Sequence, residues 1–267
     1  MDKTFAHILA LLSALLVWAS CSVREDRSPC PCYLTVVLDR AGKQLLWYGM
    51  DSLTVSAQGG TDYLRSEPVE TERCPDGVEW QTPKEWIRVG AYAGAVTAVR
   101  TADALLIPYG AEADSLFAYS ARIDCQGETA IDTVVMHKQF ATLTLEIKGA
   151  SEDYPLLLEA ESRWAGWDRF SFEPLPGRFR ATAIRLREGL YRTRLPRQGD
   201  DGFVLHAAGW DGVPLYDFAL GKEIAAKGYD WHARDLADIH VTIDYARSTL
   251  DIRISDWEDG GSQNYDI

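Results

Sequence analysis

Over most of the chain apolar and polar residues alternate with a period of two, the pattern a strand needs when one face is buried and the other is wet. In Leu143-Thr144-Leu145-Glu146-Ile147-Lys148 the aliphatic side chains fall on one face. Ile239, Val241, Ile243 and Tyr245 alternate with His240, Thr242 and Asp244, and Leu250, Ile252 and Ile254 alternate with Asp251, Arg253 and Ser255. The link at 246–249 is short enough to make those two runs a hairpin. Further strands are predicted at 33–39, 52–57, 87–92, 157–161, 179–186 and 203–207. Helical signals are sparse. One short helix is expected at 217–227, where Leu220 and Ile224 lie one turn apart and Gly228 supplies a left-handed stop. Many short strands separated by Gly, Pro and Asp turns predict an all-β chain of antiparallel sandwiches.

The amino end has a different logic. Lys3 precedes an apolar run from Phe5 to Val17, interrupted by His7 and Ser13, and Ala19-Ser20 then leads into Cys21. This is the three-part pattern of a signal peptide, and the run is shorter than the roughly 20 residues of a permanent membrane helix. A cysteine directly after small residues reads as a lipobox, although Trp18 stands where Leu or Val is usual. Residues 1–20 are therefore expected to be removed, and Cys21 to carry an amide-linked acyl chain and an S-diacylglycerol. Three acyl tails exceed the two that suffice for stable anchoring. The competing reading is a plain secreted protein with Cys21 in a disulfide. Residues 89–107, the best internal candidate for a span, contain Arg100 and Asp103 and are a weak one.

A 267-residue chain without its signal is large for one sandwich and natural for two. The polar, turn-rich stretch Asp124-Cys125-Gln126-Gly127-Glu128 precedes a new strand-like run. It predicts a polar tether at 21–29, a first sandwich at 30–128 and a second at 129–267. With Cys21 acylated, an even number of cysteines remains, Cys30, Cys32, Cys74 and Cys125, as disulfide candidates in an oxidising exported compartment. A ring closed across Cys30-Pro31-Cys32 would be strained, so pairing to Cys74 and Cys125 is expected, with two long-range connectivities open.

The sequence offers no catalytic constellation. Its 40 acidic and 27 basic residues give a net charge of −13, no basic footprint for phosphates, and so no nucleic-acid partner. The five histidines are scattered without HExxH spacing, and neither a GxSxG elbow nor a P-loop occurs. Asp256-Trp257-Glu258-Asp259-Gly260 has acidic alternation but no downstream bidentate glutamate, so a solvated turn is the better reading than a calcium loop. No metal, cofactor or small-molecule substrate is implied. A surface hydrolase would rest only on the abundance of carboxylates, which has no specificity. The tryptophans allow a glycan-binding surface, with Trp164-Ala165-Gly166-Trp167 the most lectin-like segment, although filling cores is the commoner use of large rings.

Several stretches together resemble the FimB-type fimbrial anchor lipoproteins of Bacteroidales, the anchors of type V fimbriae. They are CSVRED (21–26) with CPCYLTVVLD (30–39), GAEADSLFAYS (110–120), HKQFATLTLEIKG (137–149), PLYDFALGKEIAAKGYDW (214–231) and LADIHVTIDYARSTLDIRISDWED (236–259). The resemblance implies two tandem transthyretin-like β-sandwiches held by lipid in the outer membrane. It also implies a non-catalytic role, binding a fimbrial shaft or accessory subunit at the base of a fimbria and limiting shaft length. A gripping module of that kind needs an open groove or strand edge to which a partner strand can add.

Overall fold

In the computed structural model, which describes residues 30–60, 62–149, 156–244 and 249–255, the alternation becomes four β-sheets among those residues. β1 (Cys32–Val37) is the middle of a three-stranded sheet, antiparallel to β4 (Val78–Thr82) and parallel to β9 (Thr129–Thr133). A five-stranded sheet has the order β10-β8-β5-β2-β3. Its members are β2 (Ser52–Gln58), β3 (Leu64–Glu70), β5 (Trp86–Ala93), β8 (Phe117–Asp124) and β10 (His137–Lys138). Leu34 and Val36 of β1 pack with Leu53, Val55 and Ala57 of β2 and Ile87, Val89 and Ala91 of β5 in one core. Each set is spaced by two, so one face of each strand meets the core.

Helix α1 (Asp39–Trp47) joins this core, and it is an element the sequence reading did not anticipate. Ala41, Gly42 and Leu45 form its buried face, while exposed Lys43 pairs with Asp39 one turn earlier at 2.7 Å. Gly42 lets the helix approach the 3-10 turn Thr71–Asp76, because a Cβ at this position would lie 2.5 Å from Cys74 Cβ.

The second pair of sheets is built mainly from later residues. β11 (Phe140–Lys148) lies between β15 (Leu190–Pro196), antiparallel to it, and β18 (Asp238–Asp244), parallel to it, in the order β14-β15-β11-β18-β19. β14 is Ile184–Arg187 and β19 is Thr249–Ser255. The expected hairpin between the last two strands forms, with Val241 opposite Ile252. The other sheet centres on β12 (Leu157–Asp168), flanked on one side by β13 (Pro174–Thr182). On the other side it pairs with β16 (Val204–Ala208), which β17 (Pro214–Phe218) extends, and with β7 (Ala104–Leu106), which β6 (Val99–Arg100) extends. Leu143, Leu145, Val241, Trp167, Phe179 and Leu205 meet in the shared core. Truncating one such leucine costs about 2–5 kcal/mol.

Two sequence expectations need correction here. The run at 179–186 is two strands, because the chain leaves β12 at Ala183 and continues as β14 against β15 in the other sheet. The helix does not begin at Asp217: residues 214–218 are the edge strand β17, and α2 (Leu220–Ala226) follows, with Leu220 and Ile224 buried and Gly228 at φ +86°. The sheets also interleave along the chain. β6 and β7 join the sheet around β12, whereas β9 and β10, downstream of the polar stretch 124–128, pair with β1 and β8.

Among the described residues no helix is long and apolar enough to cross a membrane. The signal, Cys21, Tyr245 and Trp257 lie outside the described residues, as does the acidic turn at 256–260.

Candidate interaction surfaces

A cleft of about 380 Å³ opens where β8, the turn between β12 and β13 and the loop at 231–234 converge, lined by Tyr119, His137, Glu173, Arg197, His232 and Arg234 among others. Arg197 is buried, and its guanidinium is spent on the protein itself. Nη1 donates to the carbonyls of Trp231 (2.6 Å) and Ala233 (2.8 Å), Nη2 to that of Arg234 (3.3 Å), and Nε to Gln139 Oε1 (3.0 Å). Burial pushes its pKa down, opposed by the acidic groups around it. His137 Nδ1 lies 2.9 Å from Asp235 Oδ2, and the Lys138 N–H donates to the other carboxylate oxygen at 2.7 Å. Burial alone would raise the Asp235 pKa; the hydrogen bonds from His137 and Lys138 outweigh it and hold the carboxyl below its usual range. Ser171, one of two serines lining the cleft, donates to Asp168 at 2.9 Å. Arg197 thus organises the loop at 231–234.

Two strand edges present a different chemistry. Between β3 and β4 lies a cleft of about 430 Å³ lined by Arg65, Ser66, Glu67, Glu79, Trp80 and Gln81, and the Trp80 Nε1–H bridges it to Glu67 at 3.0 Å. β3 carries Arg65, Glu67, Pro68 and Glu70 on the free edge of its sheet. Charges and a residue without an N–H are the devices by which edges resist pairing.

β17 carries less of that protection, a proline at its first position only. Among the described residues it pairs with β16 on one side and is the last strand of its sheet. Residues 214–217 are exposed, with Leu215 at 47% and Tyr216 at 57%, and its single charge, Asp217, meets His206 Nδ1 at 2.6 Å. The turn before it continues the apolar surface. Trp210 is 69% and Val213 54% exposed. That turn is firmly held: Gly209 N–H donates to the Val213 carbonyl at 2.9 Å, Gly212 N–H to that of Gly209 at 2.9 Å, and Val213 N–H to Asp211 Oδ1 at 3.1 Å. An exposed apolar run on the last described strand of a sheet, with a tryptophan held out by a closed turn, is preorganised for a partner.

The residues singled out from sequence are distributed otherwise. Cys30, Cys32, Cys74 and Cys125 are all thiols, Cys30 exposed and the other three buried, so none of the disulfides expected among them is present. Each buried thiol fills a core position as a small apolar group. The Trp164–Trp167 segment is inside β12. Trp167 is fully buried and Trp164 half-buried, so this pair cannot offer two rings to a sugar. Sequence reasoning missed Trp210, Leu215 and Tyr216. Their signal was the Gly209-Trp210-Asp211-Gly212 turn followed by an apolar run opening on proline, which suits an edge strand. Among the described residues no three His, Cys, Asp or Glu side chains are grouped to hold a metal.

No family model matches the sequence, and no curated protein does. Solved structures do. A DUF1812 protein from Bacteroides thetaiotaomicron, provisionally described as polysaccharide-binding, is 12% identical over 81% of this chain and 93% of its own, with a TM-score of 0.57. An adhesin candidate from Bacteroides ovatus is 14% identical over 87% and 94%, with a TM-score of 0.54. The fimbrial anchor protein Mfa2 from Porphyromonas gingivalis is 12% identical over 85% and 98%, with a TM-score of 0.53. At such identities the likeness is one of fold.

Proposed function

We propose that this chain is a non-catalytic, fimbria-associated protein of the cell surface. In this reading it is lipid-anchored in the outer membrane through Cys21 and receives a strand of a fimbrial subunit along β17, so that it holds the fimbrial base and limits shaft length. The observation that carries the reading is the β17 edge: among the described residues it is the last strand of its sheet, Leu215 and Tyr216 are exposed, and the neighbouring turn is closed by hydrogen bonds. Backbone hydrogen bonds along such an edge supply affinity, while Trp210, Leu215 and Tyr216 select the incoming side chains. The fold it shares with a fimbrial anchor and an adhesin candidate supports the same class of role.

The test is capture of fimbrial shaft subunits from surface extracts by the purified chain, beside electron microscopy of fimbriae on cells lacking the gene. Capture that disappears with Leu215→Lys/Tyr216→Lys, together with detached or overlong fimbriae, is the expected result. Unchanged fimbriae on deleted cells would overturn the anchoring role.

A glycan-binding reading is favoured by exposed Trp210 and by the description attached to the DUF1812 neighbour. Binding on a glycan array that is lost with Trp210→Ala, without subunit capture, would select it.

A further inference from the structure

We propose that the cleft of about 380 Å³ between the two pairs of sheets is a binding site for a sugar acid, a small ligand that joins one carboxylate to several hydroxyls. Junctions between domains are preferred places for small-molecule sites, and this volume falls within the roughly 300–1,000 Å³ that such sites occupy. β8 and β10 supply one side of the cleft, and the turn between β12 and β13 and the loop at 231–234 supply the other. The site shares no residue with the β17 edge.

The cleft is short of negative charge. Arg197 is 7% exposed, and the hydrogen bonds of its guanidinium all end on neutral oxygens, the carbonyls of Trp231, Ala233 and Arg234 and the amide of Gln139. Buried charges are ordinarily neutralised by a partner in contact. Among the described residues no carboxylate makes that contact with Arg197, and Glu173, the one carboxylate in the lining, attracts it only from a distance. Arg234 and His232 stand on the loop that Arg197 clasps, both exposed, and neither side chain has a hydrogen bond or ion pair with a described residue. His137, by contrast, is taken by Asp235, and the Tyr119 hydroxyl donates to Asp132 at 2.7 Å. Two guanidinium groups therefore face one lining carboxylate, in a chain whose net charge is −13. An anion completes that wall, and the planar fork of a guanidinium matches the two oxygens of a carboxylate.

The remaining lining selects among anions. Glu173 repels a second negative charge, which disfavours phosphate, and as an acceptor it takes hydrogen bonds from hydroxyls. Ser120 of β8 and Ser171 of the turn both donate to and accept from hydroxyls, so the neutral part of a sugar acid finds partners on two walls. Phe172 adds apolar surface. Its backbone is held at φ +55°, a conformation that residues with a side chain seldom adopt. Asp168 Oδ1 fixes the same turn by accepting the Phe170 N–H at 2.9 Å and the Ser171 N–H at 2.7 Å. With the turn pinned by Asp168 and the facing loop by Arg197, the walls are set before a ligand arrives, which lowers the cost of binding.

The experiment titrates the purified full chain by calorimetry with D-galacturonate and D-glucuronate, beside galactose, glucose, acetate and inorganic phosphate. At least one uronate is expected to bind more tightly than every one of the other four by about tenfold or more. Arg234→Ala/His232→Ala should weaken that binding by about tenfold or more. The same variant should melt as the parent does, because both side chains are exposed. No heat from either uronate at about 10 mM would overturn the proposal. So would a neutral sugar or acetate binding as well as the uronates, phosphate binding more tightly than they do, or undiminished binding by the folded variant. The titration of the unaltered chain decides the question even where the variant fails to fold.

Discussion

Lys138 Nζ lies 2.6 Å from Asp238 Oδ1, and the same carboxylate oxygen accepts the Thr142 N–H at 2.7 Å. Lys138 belongs to β10 and Asp238 to β18, so one ion pair joins an edge of the first pair of sheets to the second. The ammonium is almost wholly buried, while Asp238 is 43% exposed. Burial pushes the Lys138 pKa down, and Asp238 opposes that by favouring the charged form. Removing the carboxylate would strand a buried charge. Asp238→Ala should therefore destabilise by about 2–4 kcal/mol, below the range for a fully buried pair because one partner meets water. Replacing both with Met and Leu should recover much of the loss, as read from urea midpoints.

Gly42→Ala sets a Cβ against Cys74 where neither side can yield easily, since one is helix backbone and the other a packed turn. Alanine's better helix propensity, about 1 kcal/mol, is outweighed by overpacking of about 1–3 kcal/mol. The variant should unfold at lower denaturant than the parent. The double change Gly42→Ala/Cys74→Ala keeps the clash, because the Cβ of Cys74 makes the contact, and should not restore stability.

Acid should weaken the fold through Asp235 and Asp168. For Asp168, too, burial alone would raise the pKa, and hydrogen bonds from Ser171 and Phe170 reverse it. Both carboxyls titrate lower in the folded state than the ordinary 3.8. The unfolded chain thus binds more protons as pH falls below about 4. Their contribution is fully present above the unfolded pKa and is lost as pH drops through the folded values. Asp235→Asn should be less stable at pH 7 and show a shallower decline between about pH 4 and 2, measured by thermal melts across pH.

Trp210→Ala and Leu215→Lys remove exposed side chains and should change stability by no more than about 0.5 kcal/mol. Loss of subunit capture with unchanged melting would separate a binding role for this edge from a packing one. Capture at parental levels by both variants would shift the docking site away from β17.

Radiolabelled palmitate should label the chain in cells, and Cys21→Ala should abolish the label and release the protein from the membrane fraction. Labelling that persists in the variant would remove the lipid from Cys21.

Local pattern and tertiary outcome part company at definable places. The alternation of Leu143, Leu145 and Ile147, and of Ile239, Val241 and Ile243, put β11 and β18 in the sequence, because a strand's two faces are a property of the chain itself. The helical spacing of Leu220 and Ile224 likewise anticipated α2, but the start of that helix was placed on what is the exposed strand β17. The proline that opens the run before Leu215 and Tyr216 suits an edge strand, but which edge of which sheet they occupy depends on strand pairing, which is non-local. Helix α1 is hidden for a related reason: its buried face uses Gly42, whose value lies in the proximity of Cys74 rather than in any periodicity.

The sequence alone determined a β-rich chain in which apolar residues alternate and in which no catalytic motif occurs. Those are matters of spacing and composition, carried by neighbours along the chain. The tertiary structure decided which tryptophan is buried and which is offered to solvent, Trp167 or Trp210. It also decided that residues 99–106 complete a sheet formed mostly by later strands. Such outcomes depend on which residues, distant in sequence, exclude water together, and that selection is made only when the sheets close.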